Sequence, residues 1–315
     1  MQVFNFSQPL NFMGYKGVAV SLSAVLIIAA LLCIAIKGVN WGLDFTGGTV
    51  IEVNFQQAAD LPQVRQTLSQ AGYTDAIVQL FGTSRDVLIR IPLQLDKEQA
   101  EVGQAILAAL NVDGAAQVEM RRIEFVGPSV GDELKNEGGL AMLIALLGIL
   151  AYVAMRFEWR LSVGAVVALI HDVILTVGLF SWLQIEFDLT VLAAILALIG
   201  YSINDTIVVF DRIREQFRKL RDTSPAEVIN DAITSTLNRT VITSLTTALV
   251  LVVLYFKGGA LIHGFATALL FGIAVGTYSS IYIASAIAYI LGISREDMLP
   301  PAIPSDEVDN DGAVL

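Results

Sequence analysis

The chain has 315 residues, 55% of them hydrophobic and 16% charged, with a mean hydropathy of +0.67. That balance excludes an ordinary soluble domain and implies a multi-pass membrane protein. The net charge of −11 argues against a nucleic-acid partner, and the single cysteine, Cys33, excludes an intrachain disulfide or a cysteine-based metal cage.

A bilayer core of about 30 Å needs roughly 20 apolar residues per helix. By that length the run 17–36 is a spanning helix behind a short N-terminus, 1–16. It has no small-x-small cleavage site before Lys37, so it reads as a retained anchor rather than a signal peptide. Residues 37–137 are more polar and have the size of a small domain. Thr49–Phe55 alternates as a strand, Leu61–Gly72 has helical spacing, and Ala76–Phe81 and Val87–Ile91 read as strands around a loop at Gly82–Asp86. Asp96 with Gln99 suggests a capped start to a helix through Leu110, and Ala115–Phe125 closes as a strand. The order βαββαβ predicts a ferredoxin-like α+β domain, with two helices on one face of a four-stranded antiparallel sheet.

Five further spans follow at 138–155, 161–183, 189–210, 240–256 and 264–290, giving a polytopic α-helical protein with six transmembrane helices. Arg156 and Arg160 lie between the second and third spans. Six Lys and Arg residues, from Arg212 to Arg239, lie between the fourth and fifth, in the loop 211–239. Short loops rich in Lys and Arg face the cytoplasm. Both termini are therefore expected there, and the domain 37–137 is expected to be periplasmic. The tail 291–315 is acidic and is expected to be disordered, because beyond Pro300 it has too little apolar surface to fold.

Asn204-Asp205 stands inside the fourth span, and a carboxylate in a hydrocarbon-spanning helix costs about 2.5–3.5 kcal/mol on insertion scales. Arg239 opens the fifth span from the same side, so the two side chains can meet. They form either a carboxylate whose protonation is coupled to motion or a structural ion pair. Thr240, Thr243, Ser244 and Thr247 make a hydroxyl stripe beside Arg239, suited to ordering water or to helix packing. His171-Asp172 falls near the middle of the third span. Adjacent positions point about 100° apart, so the two do not face one site squarely. Asp172 is a weaker candidate for a proton path, and Gly272 and Gly276 form a Gly-x-x-x-Gly pair on the sixth span. His263 is assigned no role, and nothing points to a cofactor or a metal.

The run Tyr201–Glu215, with Gly42–Gly48, Val126–Leu134, His171-Asp172 and Asn238–Thr240, closely resembles the SecF branch of the SecD/SecF family, within the resistance-nodulation-division superfamily. The motifs occur in the family's order along nearly the whole chain. The resemblance implies a non-enzymatic subunit in the bacterial cytoplasmic (inner) membrane, partnered by SecD. It implies association with the SecYEG channel and YidC, and use of the proton-motive force to draw an unfolded preprotein outward after SecA has pushed it. Carried over, Asp205 is the proton-responsive aspartate, with Asn204 beside it, and Arg239 is its partner. Gly42, Asp44, Gly47, Gly48, Gly127 and Pro128 are implied to be structural, at the two ends of the periplasmic domain.

Two other readings compete. A proton-coupled small-molecule exporter of the same superfamily is disfavoured by six spans with one small domain. An intramembrane aspartyl protease built on Asp172 and Asp205 needs two carboxyls sharing a proton at close range, whereas the spacing puts one near the midplane and the other near the cytoplasmic end.

Overall fold

The computed structural model describes residues 8–92, 99–111 and 118–298. Helix α1 (Lys16–Lys37) is followed by the short α2 (Leu43–Thr46) and then by β1 (Gly48–Phe55), α3 (Leu61–Gln70), β2 (Ile77–Phe81), β3 (Thr83–Ile91), α4 (Gln99–Asn111) and β4 (Val118–Val126). The strands form one antiparallel sheet in the order β2-β3-β1-β4, which is the ferredoxin-like arrangement expected from the alternation. One face buries Ile51, Val53, Val87, Ile89 and Ile91 against Val64 and Leu68 of α3 and Val102 and Ile106 of α4. Asp60 caps α3 by accepting the Gln63 N–H, with Pro62 in the first turn. Asp96 and Ala115, expected at the edges of the second half, lie outside the described residues, as does the tail from Leu299 onward.

One boundary differs from expectation. The polar run Thr83–Asp86 belongs to β3 rather than to a loop, and Gly82, with φ of 79°, supplies the whole turn. The strand admits Asp86 because its carboxylate is satisfied. Thr83 Oγ1 (2.5 Å) and Asn54 Nδ2 (2.6 Å) donate to it, and Arg121 pairs with it at 3.3 Å.

Five long helices follow among the described residues: α5 (Pro128–Arg156), α6 (Trp159–Leu183), α7 (Leu189–Lys219), α8 (Pro225–Lys257) and α9 (Ala260–Ser279). A π-helical turn at Ser280–Ala284 then leads into α10 (Ser285–Ile290). Among the described residues, six helical stretches are long and apolar enough to cross a membrane. They fall into two groups. The apolar windows of α6, α7 and the α9–α10 span are each 56% buried, whereas those of α1, α5 and α8 are 6–11% buried. A packed centre of three helices is thus flanked by three that show most of their surface outward, and it supplies most of the largest apolar cluster among the described residues.

The segment 211–239, expected as a loop, is mostly helix. α7 and α8 run on beyond their apolar stretches and meet at a turn over 220–224. There a capping box, Ser224 with Glu227, restarts the chain as α8. Polar side chains tie these extensions together: Arg212 Nε of α7 donates to Ser235 Oγ of α8 at 2.9 Å, and Arg156, at the end of α5, pairs with Asp211 at 2.7 Å. The start of the tail is ordered too. Ile293 and Met298 are buried, Arg160 pairs with Asp297, and Arg218 Nε donates to the Met298 carbonyl.

The sheet domain is tied to the membrane helices by a strap, residues 38–47, that lies along the α6–α7 turn. Gly42 N–H donates to Phe187 O and Phe187 N–H to Asn40 O, both at 2.8 Å, and Trp41 packs edge-on against Phe45 and Phe187. Asp44 Oδ2 accepts the Leu189 N–H at 2.9 Å, and Asp188 Oδ1 accepts that of Val191 at 2.8 Å. Two carboxylates thus satisfy the free amides at the α7 N-terminus and complement its dipole. Gly47 and Gly48, at φ of 66° and 122°, turn the strap into β1. Arg90 reaches from β3 across that joint to pair with Glu186 and to donate to Trp41 O at 2.8 Å.

Candidate functional site

Asp205 lies on the buried side of α7 and is 3% exposed. Its Oδ2 has no hydrogen-bond partner, and neither has the buried Oγ1 of Thr240 on α8. Asn204 and Arg239 are both exposed. The 100° step between adjacent helical positions explains Asn204, which points outward while Asp205 points inward. Arg239 is near enough for its charge to act on Asp205 through space. Among the described residues, however, no ion pair within 4 Å joins them. The expected pair is present as two neighbouring groups held apart.

The hydroxyl stripe of α8 divides. Thr243 and Thr247 bond back to carbonyls of their own helix, at Arg239, Thr240 and Thr243, as hydroxyls in membrane helices do. Ser244 instead reaches Thr277 on α9 at 2.7 Å and receives the Tyr201 hydroxyl at 3.3 Å.

Asp172, the weaker candidate, is the centre of a hydrogen-bond network in which both of its carboxylate oxygens are partnered. Its Oδ2 accepts Ser202 Oγ of α7 at 2.5 Å and Ser279 Oγ of α9 at 2.8 Å, and its Oδ1 meets His171 Nδ1 at 2.9 Å. His171 and Asp172 do not diverge as their angular spacing suggests. The imidazole folds back onto its neighbour's carboxylate, both are 1% exposed, and His171 Nε2 is left unpartnered. Ser202 lies three residues before Asp205, hence on the same face of α7. The Gly-x-x-x-Gly pair makes this approach possible, since a Cβ on Gly276 would sit 3.3 Å from Ser202 Oγ and 3.5 Å from Asp172 Oδ2. A Cβ on Gly272 would meet Leu198 Cδ2 at 2.5 Å. Ser202, Ser279 and the π turn beginning at Ser280 escape a reading by composition, because serines are common in membrane helices and a π turn has no simple sequence signature. The one usable signal was Ser202 at helical spacing from Asp205.

No hydrogen bond joins Asp172 to Asp205 among the described residues, so the shared proton of an aspartyl-protease pair has no geometry. Nor do any three His, Cys, Asp or Glu side chains among those residues converge as metal ligands.

Residues 106–294 match the family described as protein export membrane protein SecD/SecF, C-terminal, and residues 34–59 match the SecD/SecF GG motif. The chain belongs to the SecF family. It is 53% identical over 310 residues to protein translocase subunit SecF of Vibrio alginolyticus, covering 98% of both chains. It is 46% identical to the SecF of Escherichia coli O157:H7 over 95% of this chain and 93% of that one. It also superimposes on the crystal structure of SecDF from Thermus thermophilus, a translocon-associated membrane protein, with a TM-score of 0.82 and 36% identity. That match covers 90% of this chain but only 39% of the SecDF chain. The GG motif of the SecF family thus coincides with the strap and the Gly47-Gly48 joint.

Proposed function

We propose that this SecF family member works with a SecD partner to draw preproteins across the bacterial inner membrane at the expense of the proton-motive force, with Asp205 as the proton-responsive group. The reading rests on one observation: Asp205 is buried among membrane helices with a carboxylate oxygen that nothing satisfies. A charged carboxylate in that setting demands a partner, and the nearby cation, Arg239, is turned outward. Loading a proton removes the charge and with it the attraction to Arg239, while releasing the proton restores both. Two arrangements of α7 against α8 follow, and the proton gradient biases one over the other. The arginines and lysines between α7 and α8 support a cytoplasmic location for that end, and so a periplasmic sheet domain.

The partner surface is supported by the face of α7 that this chain leaves open. Ala193, Ala197, Gly200 and Asn204 are exposed along one stripe. Small residues let another helix approach closely, and an amide facing hydrocarbon gains from a hydrogen-bonding partner. Asn204 thereby belongs to the interface with SecD rather than to the proton path.

The test is export of a slow secretory precursor in cells depleted of the native protein and supplied with this chain or its Asp205→Asn variant at matched membrane levels. Precursor is expected to accumulate with the variant alone. Equal export by the two would reduce Asp205 and Arg239 to a structural pair.

A further inference from the structure

We infer that the strap 38–47 and the α6–α7 turn move as one body, and that Arg90, Glu186 and Asp44 are positioning residues through which a shift of α7 at Asp205 reaches the sheet domain. The inference rests on the proposed role of Asp205.

α7 is one unbroken helix of 31 residues, and the 16 helical steps from Leu189 to Asp205 span about 24 Å. Sharp bends arise at a proline, a Gly/Ser pair, a π turn or an inserted group; this stretch has no proline and no π turn, and its Gly200 and Ser202 sit within continuous α-helix. A displacement at Asp205 therefore appears at Leu189. There the helix end is held by Asp44 of the strap, and the turn before it exchanges backbone hydrogen bonds with Asn40 and Gly42. The two pieces are also in close contact, since a Cβ on Gly42 would lie 3.0 Å from Asp188 Cβ.

The weak point is the joint between strap and sheet. Gly47 and Gly48 both have positive φ and carry no side chains to resist bending. Arg90 spans that joint. It leaves the sheet from β3, is 8% exposed, pairs with Glu186 of the turn and donates to Trp41 O of the strap. Leu43 N–H also donates to Glu186 Oε1 at 3.3 Å, so the glutamate holds strap and sheet together. Separating a buried guanidinium from its carboxylate leaves an uncompensated charge, so the joint resists opening. The other supports are looser, because α1 and α5, which carry the ends of the domain into the membrane, show most of their surface outward.

The experiment uses the full chain in the same export assay. Arg90→Ala and Glu186→Ala are each expected to slow export about fivefold or more, the low end of coupling between distant sites. The double variant should be no slower than either single one, and Arg90→Lys should recover part of the loss. A tether tests whether strap and turn move as one body. With Cys33→Ala, Gly42→Cys and Asp188→Cys combined, closing the disulfide is expected to leave export within about twofold of the reduced form, because the joined pieces already move together. Loss of export on oxidation, regained on reduction, would overturn the inference. So would full export by both alanine variants while Asp205→Asn is inactive. Normal export by Asp205→Asn would instead remove the underlying reading. Should the alanine variants fail to reach the membrane, the tether still decides.

Discussion

Two aspartates among the membrane helices are shielded from solvent to nearly the same extent, yet they are treated oppositely. Asp172 is 1% exposed and its carboxylate is bonded by Ser202, Ser279 and His171. Asp205 is 3% exposed and has an oxygen with no partner. Burial alone therefore does not mark a working carboxylate. A group whose every bond is satisfied has one preferred arrangement and fixes the helices that supply those bonds. A group left short of a partner gains by a change in charge or position, which a switching element requires.

The sharpest way to break this comparison is to remove the satisfied member. Asp172→Ala removes the carboxylate on which Ser202, Ser279 and His171 converge across α6, α7 and α9. It is expected to destabilise the helix bundle by about 2–5 kcal/mol, since each buried polar group left unpaired costs about 1–3 kcal/mol. Thermal unfolding of purified protein in detergent would measure it. Asp205→Asn, by contrast, keeps the shape and removes only an unsatisfied charge, so its stability should lie within about 1 kcal/mol of the parent while export fails. Equal destabilisation by the two would dissolve the distinction.

Next in size is Gly276→Leu, which attacks the same network through its packing. The added side chain must occupy the space where Ser202 approaches Asp172, at a cost of about 1–3 kcal/mol, and the Asp172 to Ser202 bond should lengthen or break. Stability close to that of the parent would show that α7 and α9 have room the structure does not display.

A third carboxylate, Asp86 in the sheet domain, extends the comparison into water. The Thr83 hydroxyl, together with Asn54, Arg121 and Arg85, holds it below the ordinary aspartate value of 3.8, against the opposing effect of burial. Because the folded-state value is depressed, the stabilisation is fully present above the ordinary value and is lost as pH falls through the depressed one. The β2–β3 hairpin should thus loosen in acid below about pH 4, seen as faster amide exchange. Asp86→Ala should cost about 1–2 kcal/mol at neutral pH and flatten that pH dependence.

Much of this was legible in the sequence, for definite reasons. Strand alternation in β1 and β3 and the long apolar runs each impose a single period, so the ferredoxin-like sheet and the six helices could be read directly. Asp205 stood out because a carboxylate in an apolar run is costly. What could not be read depended on contacts between segments distant in sequence. The Ser202 and Ser279 bonds to Asp172 join residues 30 and 107 positions apart, and Arg90 meets Glu186 only once sheet and bundle are docked. The run from Asp211 to Arg239 read as a loop because charge interrupts its apolar pattern. The helices there are instead sustained by a capping box and by polar bridges, which hydropathy does not register.

The smallest expected effect tests the unsatisfied half of the comparison most directly. Thr240 Oγ1 is buried beside Arg239 and has no hydrogen-bond partner, like Asp205 Oδ2 across the α7–α8 contact. If the hydroxyl contributes only volume, Thr240→Val replaces an unpaired polar group with a methyl of similar size. Stability should then be unchanged or rise by up to about 1 kcal/mol, since a buried unpaired hydroxyl is itself a cost. If instead the hydroxyl bonds Asp205 in the other arrangement of α7 against α8, stability still rises, yet export slows, because the variant favours the resting arrangement over the one that needs the bond. Measuring unfolding temperature and export rate on the same preparations separates the two cases. A gain in stability with unchanged export would confine the switch to Asp205 and Arg239, and a gain with slower export would add Thr240 to it.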